Sequence, residues 1–156
     1  MSSALENAIE VLSAKIDVPS EPTDWFEMTQ DRINTFADAT MDHQWIHVDP
    51  ERAKSGPFGA PIAHGQLTMS VMSFLPGGEG VGLPKLDGMT MGVNLGWNKV
   101  RFMNPVPVGA KIRTIGKVKS VEPKGPMLEV VNEMTVEIEG QDKPACVAES
   151  VLRVGF

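Results

Sequence analysis

The stretch His64-Gly-Gln-Leu-Thr-Met-Ser-Val-Met-Ser-Phe-Leu75 is apolar almost all round when wound as a helix. A helix without a polar face belongs inside a protein. This one is therefore expected to be buried, with Pro76 and the glycines after it ending it. Beyond about residue 90 the period changes from helical to alternating. Strands are expected over 91–103, 111–121, 127–139 and 144–154, separated by turns rich in Pro and Gly. A buried helix ahead of an antiparallel meander gives an α+β architecture in which the sheet wraps around the helix.

Upstream, Leu5, Ala8, Ile9 and Leu12 recur at helical spacing within residues 1–14, and Pro19 and Pro22 close that helix. Trp25–Thr29 reads as a short strand, with Thr29 as the N-cap of a helix over Asp31–Thr40. Residues 41–62 hold Pro50, Gly56, Pro57, Gly59 and Pro61 without a sustained period. They read as irregular chain in which Asp49–Lys54 forms one helical turn. Gly77-Gly-Glu-Gly-Val-Gly82 has neither the Lys-Ser/Thr of a phosphate loop nor a strand leading into it, and reads as a surface loop.

The 156 residues fit one domain over 1–156. A chain of that length buries roughly 70% of its unfolded surface, and its 42% hydrophobic residues suffice for a core. One cysteine, Cys146, leaves no internal disulfide and reads as a small buried apolar side chain in a reducing compartment. Neither a secretion signal nor an apolar run of the roughly 20 residues that span a bilayer is present, so the expectation is a cytoplasmic protein without membrane insertion. A net charge of −6 removes the electrostatic drive toward nucleic acid.

Seven of the fourteen basic residues fall between Lys99 and Lys124. Lys111, Arg113, Lys117 and Lys119 share one strand face, and Glu129, Glu133, Glu137 and Glu139 share one on the next strand. Paired as a hairpin, they form a ladder of cross-strand ion pairs. Lys99 and Arg101 lie outside that hairpin and are the better candidates for phosphate contacts.

Chemistry concentrates in Phe36-Ala-Asp-Ala-Thr-Met-Asp42-His-Gln-Trp-Ile-His47-Val-Asp-Pro-Glu-Arg-Ala53. A carboxylate and an imidazole stand five residues apart in irregular chain, where catalytic groups are often carried. Phe36, Met41, Trp45, Ile46 and Val48 supply apolar cover, which tends to raise a carboxyl pKa. Together the pair can hold a water, take a proton from it and return one elsewhere, worth on the order of 10² to 10⁴ in rate. Ala63-His64-Gly65 opens the buried helix. The first amides of a helix lack internal partners and point out of its positive end. Gly65 has no side chain to keep a carbonyl away, so it reads as an oxyanion donor, worth about 10² to 10³. His64 reads as its support.

Asp42-x4-His47 with Val-Asp-Pro-Glu-Arg-Ala after it, the Ala-His-Gly helix start, Asn98-Lys-Val-Arg-Phe, Pro105-Val-Pro-Val-Gly109 and Lys143-Pro-Ala-Cys-Val-Ala-Glu-Ser150 resemble the MaoC-like (R)-specific enoyl-CoA hydratases. The branch resembled is the one related to nodulation protein N, and the likeness runs from about Asp24 to Arg153. It implies a hot-dog fold, an antiparallel sheet wrapped around a long central helix, and a homodimer. It also implies reversible syn hydration of a trans-2-enoyl-CoA to the (3R)-3-hydroxyacyl-CoA. No metal or redox cofactor is implied, coenzyme A being part of the substrate. By position, Asp42 and His47 would activate water and protonate the α-carbon, Gly65 would bind the thioester oxygen, and Ser73 would sit beside the acyl group. His64, Trp45, Asn98, Lys99 and Arg101 complete the expected substrate contacts.

Gln44-Trp45 departs from the Asn-Pro common in that motif, and Trp45 would reshape the acyl pocket. His43 and His47 are four apart, but Gln44 replaces the glutamate of His-Glu-x-x-His, so no metal site is expected. A hot-dog thioesterase and a non-catalytic acyl-CoA-binding protein are the competing readings.

Overall fold

The computed structural model describes residues 3–78, 81 and 83–156. Helix α1 (Ala4–Ser13) starts at Ser3, whose hydroxyl accepts from the Glu6 amide while the Glu6 carboxylate accepts from the Ser3 amide. That reciprocal cap satisfies two amides a helix start leaves open. Strand β1 (Phe26–Glu27) is shorter than Trp25–Thr29, and Thr29 caps α2 (Gln30–Thr40) through the Arg32 amide. Two short helices follow, α3 (Trp45–Val48) and α4 (Pro50–Lys54).

Helix α5 (Gly65–Val71) is the expected buried helix, with Leu67 and Thr68 inside. It is shorter than its apolar run, because Met72–Phe74 close as a turn, Phe74 turns out to solvent, and Pro76 forbids continuation.

Four long strands, β2 (Met91–Phe102), β3 (Lys111–Lys124), β4 (Met127–Ile138) and β5 (Cys146–Gly155), pair antiparallel in the order β1-β3-β4-β5-β2. On β4, Leu128, Val130, Asn132, Met134, Val136 and Ile138 face inward, and the residues between them face out. Leu67 and Met72 pack on that inner face with Met134, Val136, Cys146 and Ala148. Ala8 and Leu12 of α1 close a second cluster over Leu128, Val130 and Val154. This is the hot-dog arrangement.

Outward, the expected ladder forms as Arg113–Glu137 at 2.7 Å, Lys117–Glu133 at 3.1 Å and Lys111–Glu139 at 4.0 Å. Lys119 instead meets Asp17, at 2.7 Å, and Glu129 takes Arg153, at 2.6 Å. Within the expected loop Gly77–Gly82, Val81 is buried in the core. Glu79, Gly80 and Gly82 lie outside the described residues. No helix among the described residues is long and apolar enough to cross a membrane.

Candidate active site

Helix α2 stops because Met41 adopts the left-handed conformation, φ +65°, at its C-cap. The next residue, Asp42, accepts from the Gln44 amide at 3.3 Å through Oδ1. That turn leads into α3, where His47 is buried. The His47 position is fixed twice. Its carbonyl accepts from Gln30 Nε2 at 2.8 Å, and its Nδ1 lies 2.7 Å from the Ile62 carbonyl. A carbonyl only accepts, so Nδ1 carries the proton and Nε2 presents a lone pair. Burial pushes the His47 pKa below its usual 6.5, against the contrary pull of its bond to Ile62. The imidazole is therefore neutral at neutral pH.

His64 is also buried, and its ring stacks on His47 with centroids 3.8 Å apart and planes 24° apart. Its Nε2 lies 2.9 Å from the Asp42 main-chain carbonyl, which places the proton there and leaves Nδ1 without a partner. Phe36 flanks it at 4.9 Å. His64 thus ties the Asp42 backbone to the head of α5.

Ligating atoms of Asp42, His47 and His64 lie within 4.8 Å of one another. The two imidazoles are nearly parallel, so their in-plane lone pairs run side by side instead of converging. That arrangement suits proton handling better than tetrahedral metal ligation. His43 turns away to Asp38, at 2.8 Å, which raises its pKa, and does not join His47.

Gly65 follows His64 as the first residue of α5 and lines a cavity of about 330 Å³ with Ala63, Thr68, Phe102, Asn104 and Val106. A Cβ at Gly65 would come within 3.1 Å of the Phe102 ring. Phe102 therefore roofs the glycine, a role nothing in its strand pattern announces.

The other expected residues take varied positions. The Asp42 side chain is 54% exposed and Met41 is 83% exposed, so the single chain does not supply the apolar cover read from the sequence. Neither Asp42 nor His47 lines the Gly65 cavity. Trp45 lies under Arg52, at 4.4 Å, and against Gly56, where a Cβ would come within 2.8 Å of its ring, and it lines none of the described cavities. Asn98, Lys99 and Arg101 are exposed on β2, Asn98 bonding Glu149 at 3.3 Å. Ser73 lies beyond the end of α5 and lines a larger cavity. Gln30 and the Ile62 carbonyl, which hold His47, were not among the expected residues. Buried Cys146 has its thiol pKa pushed up to about 11, which leaves it unreactive.

The family described as MaoC like domain matches residues 11–140. The chain is 48% identical over 132 residues to 3-hydroxyacyl-thioester dehydratase Z of Mycobacterium tuberculosis (strain ATCC 25618 / H37Rv), covering 84% of this chain and 85% of that protein. It is 42% identical over 148 residues to nodulation protein N of Rhizobium leguminosarum bv. viciae, covering 90% of each. Among solved structures, the (R)-hydratase from A. caviae involved in PHA biosynthesis superposes with a TM-score of 0.66 at 25% identity, over 85% of this chain and 93% of that one.

Proposed function

The chain belongs to the MaoC-like dehydratase family, and from that premise we propose that it is an (R)-specific enoyl-CoA hydratase, adding water reversibly to a trans-2-enoyl-CoA. One observation carries the reading. The His47 ring and the Asp42 carboxylate bring a ligating nitrogen and oxygen within 4.8 Å of each other beside the head of α5, and the Ile62 carbonyl leaves His47 Nε2 as an acceptor.

A water between two acceptors gives one hydrogen to each, so its oxygen lone pair faces away from both, toward the β-carbon of the substrate. As the C–O bond forms, one acceptor takes the water proton and the α-carbon–β-carbon π electrons move into the thioester. The Gly65 amide, with no intrahelical acceptor, receives the enolate oxygen. The protonated member of the pair then returns its proton to the α-carbon on the same face, which closes a syn addition. No step draws on a metal or a redox group.

His47 is best suited as the first proton acceptor, because desolvation keeps it unprotonated and its tautomer is fixed. Lys99 and Arg101, exposed cations on β2, are our candidates for the phosphates of coenzyme A. Asn98 stands beside them. We place the protein in the cytoplasm as a homodimer. Among the described residues the outer edge of β2 has no partner strand, and Met91, Val93, Leu95 and Phe102 expose apolar surface along it. An apolar edge of that length needs cover, which a second copy of the chain would supply.

Incubation with crotonyl-CoA, following loss of the conjugated absorbance together with free thiol, tests the assignment. Absorbance loss without thiol is expected. Thiol release would identify a thioesterase, and no change would mean binding without turnover.

A further inference from the structure

Across the inner face of the sheet, Val118, Asn132, Ser150 and Trp97 stand opposite one another on β3, β4, β5 and β2. This row falls between the two apolar clusters, with Met134, Val136 and Ala148 on one side and Leu128, Val130 and Val154 on the other. Asn132 and Ser150 are almost wholly buried in it. Over the row opens a cavity of about 530 Å³ lined by Met69, Ser73, Val81, Leu83, Trp97 and Ser150 among others, with no charged side chain among the described residues that line it.

A cavity for a plain hydrocarbon would be lined by groups that ask for no hydrogen bond. Here the Ser150 hydroxyl has no partner, although it is only 2% exposed. Half-buried Ser73 donates to the Met134 sulfur at 3.3 Å, its only partner among the described residues, and a thioether is a weak acceptor. A buried hydroxyl in the state of Ser150 is unfavourable until a ligand or water answers it. A serine hydroxyl swings among three staggered positions, so Ser150 can turn toward an occupant. Gly65 and Met69 share one face of α5, and Ser73 follows in the turn beyond it. Gly65 lines one cavity and Met69 and Ser73 line the other, so α5 borders both.

We propose that this cavity takes an acyl chain carrying an uncharged oxygen, a hydroxyl or a ketone, remote from the thioester, and that Ser150 and Ser73 recognise it. Among the described lining residues the polar groups are neutral, which matches an uncharged oxygen. The inference rests on the hydratase reading and adds the substrate class to it.

The test compares two trans-2-enoyl-CoA substrates of equal chain length, one hydrocarbon and one with a terminal hydroxyl, with crotonyl-CoA as a third. The oxygenated chain should have the higher kcat/KM by about tenfold. S150A should bring that ratio near one, without lowering the melting temperature, since it removes an unpartnered buried hydroxyl. Equal or reversed kcat/KM in the native protein, with crotonyl-CoA still hydrated, would overturn the inference and leave the hydratase standing. A preference that survives in both S150A and S73A would remove the serines from it. Failure to hydrate any of the three would sink the hydratase reading itself.

Discussion

At the scale of single residues, the proposed chemistry depends on which nitrogen of His47 is free. The Ile62 carbonyl decides this, and burial then keeps the ring neutral. Since its pKa lies below 6.5, the acid limb of kcat/KM should fall at lower pH than for a free imidazole. A limb above pH 6.5 would contradict the desolvated base. The same shift bears on stability. The folded chain takes up this proton less readily than the unfolded one, so the contribution is present above pH 6.5 and is lost as pH falls through the folded value. Gly65→Ala is expected to lower kcat about 10²-fold with little change in melting temperature. The new methyl meets the edge of the Phe102 ring at 3.1 Å, a contact that a small rotation of that ring relieves. A lowered melting temperature with unchanged kinetics would make Gly65 structural only. Asp42, His47 and Gly65 are proposed from residue type, spacing and the resemblance alike. The Ile62 carbonyl was not legible in the sequence, because every residue has a carbonyl and only the fold says which one meets an imidazole. The exposure of Asp42 was equally hidden, since Met41 looks like cover in the sequence and turns outward at a left-handed cap.

At the scale of elements, the alternating strands and the apolar α5 run were legible because each pattern matches one backbone period. The four-residue α3 was not, being too short to show a period, and it is what sets His47 in place. The end of α2 offers a direct test. Met41 holds φ +65° while most of its side chain is in solvent. A non-glycine residue there costs about 1–2 kcal/mol, and a glycine gives back up to about 1 kcal/mol through the unfolded chain. Met41→Gly should therefore stabilise the protein by about 0.5 kcal/mol in urea unfolding. A loss of that size would mean that the methionine side chain makes contacts worth more than the strain, as a partner subunit over it would provide.

At the scale of the whole molecule, the two faces and the edge of the sheet have different tasks. The inner face carries the core, the outer face is screened by the Arg113–Glu137, Lys117–Glu133 and Arg153–Glu129 pairs, and the β2 edge is left apolar. Leu95, 52% exposed beside the bulge at Gly96, sits on that edge. Leu95→Lys should shift sedimentation from dimer toward monomer, and turnover should fall with it if the second copy closes the site. A native protein that sediments as a monomer would remove the homodimer. The site joins the end of α2, α3 and the head of α5, and the claim that unites them is that Asp42 and His47 act on one water. The most direct measurement is kcat for crotonyl-CoA hydration by Asp42→Asn and His47→Gln, each first shown to melt like the native protein. The account requires a loss of at least about 10²-fold in both. Near-native turnover in either variant would contradict it.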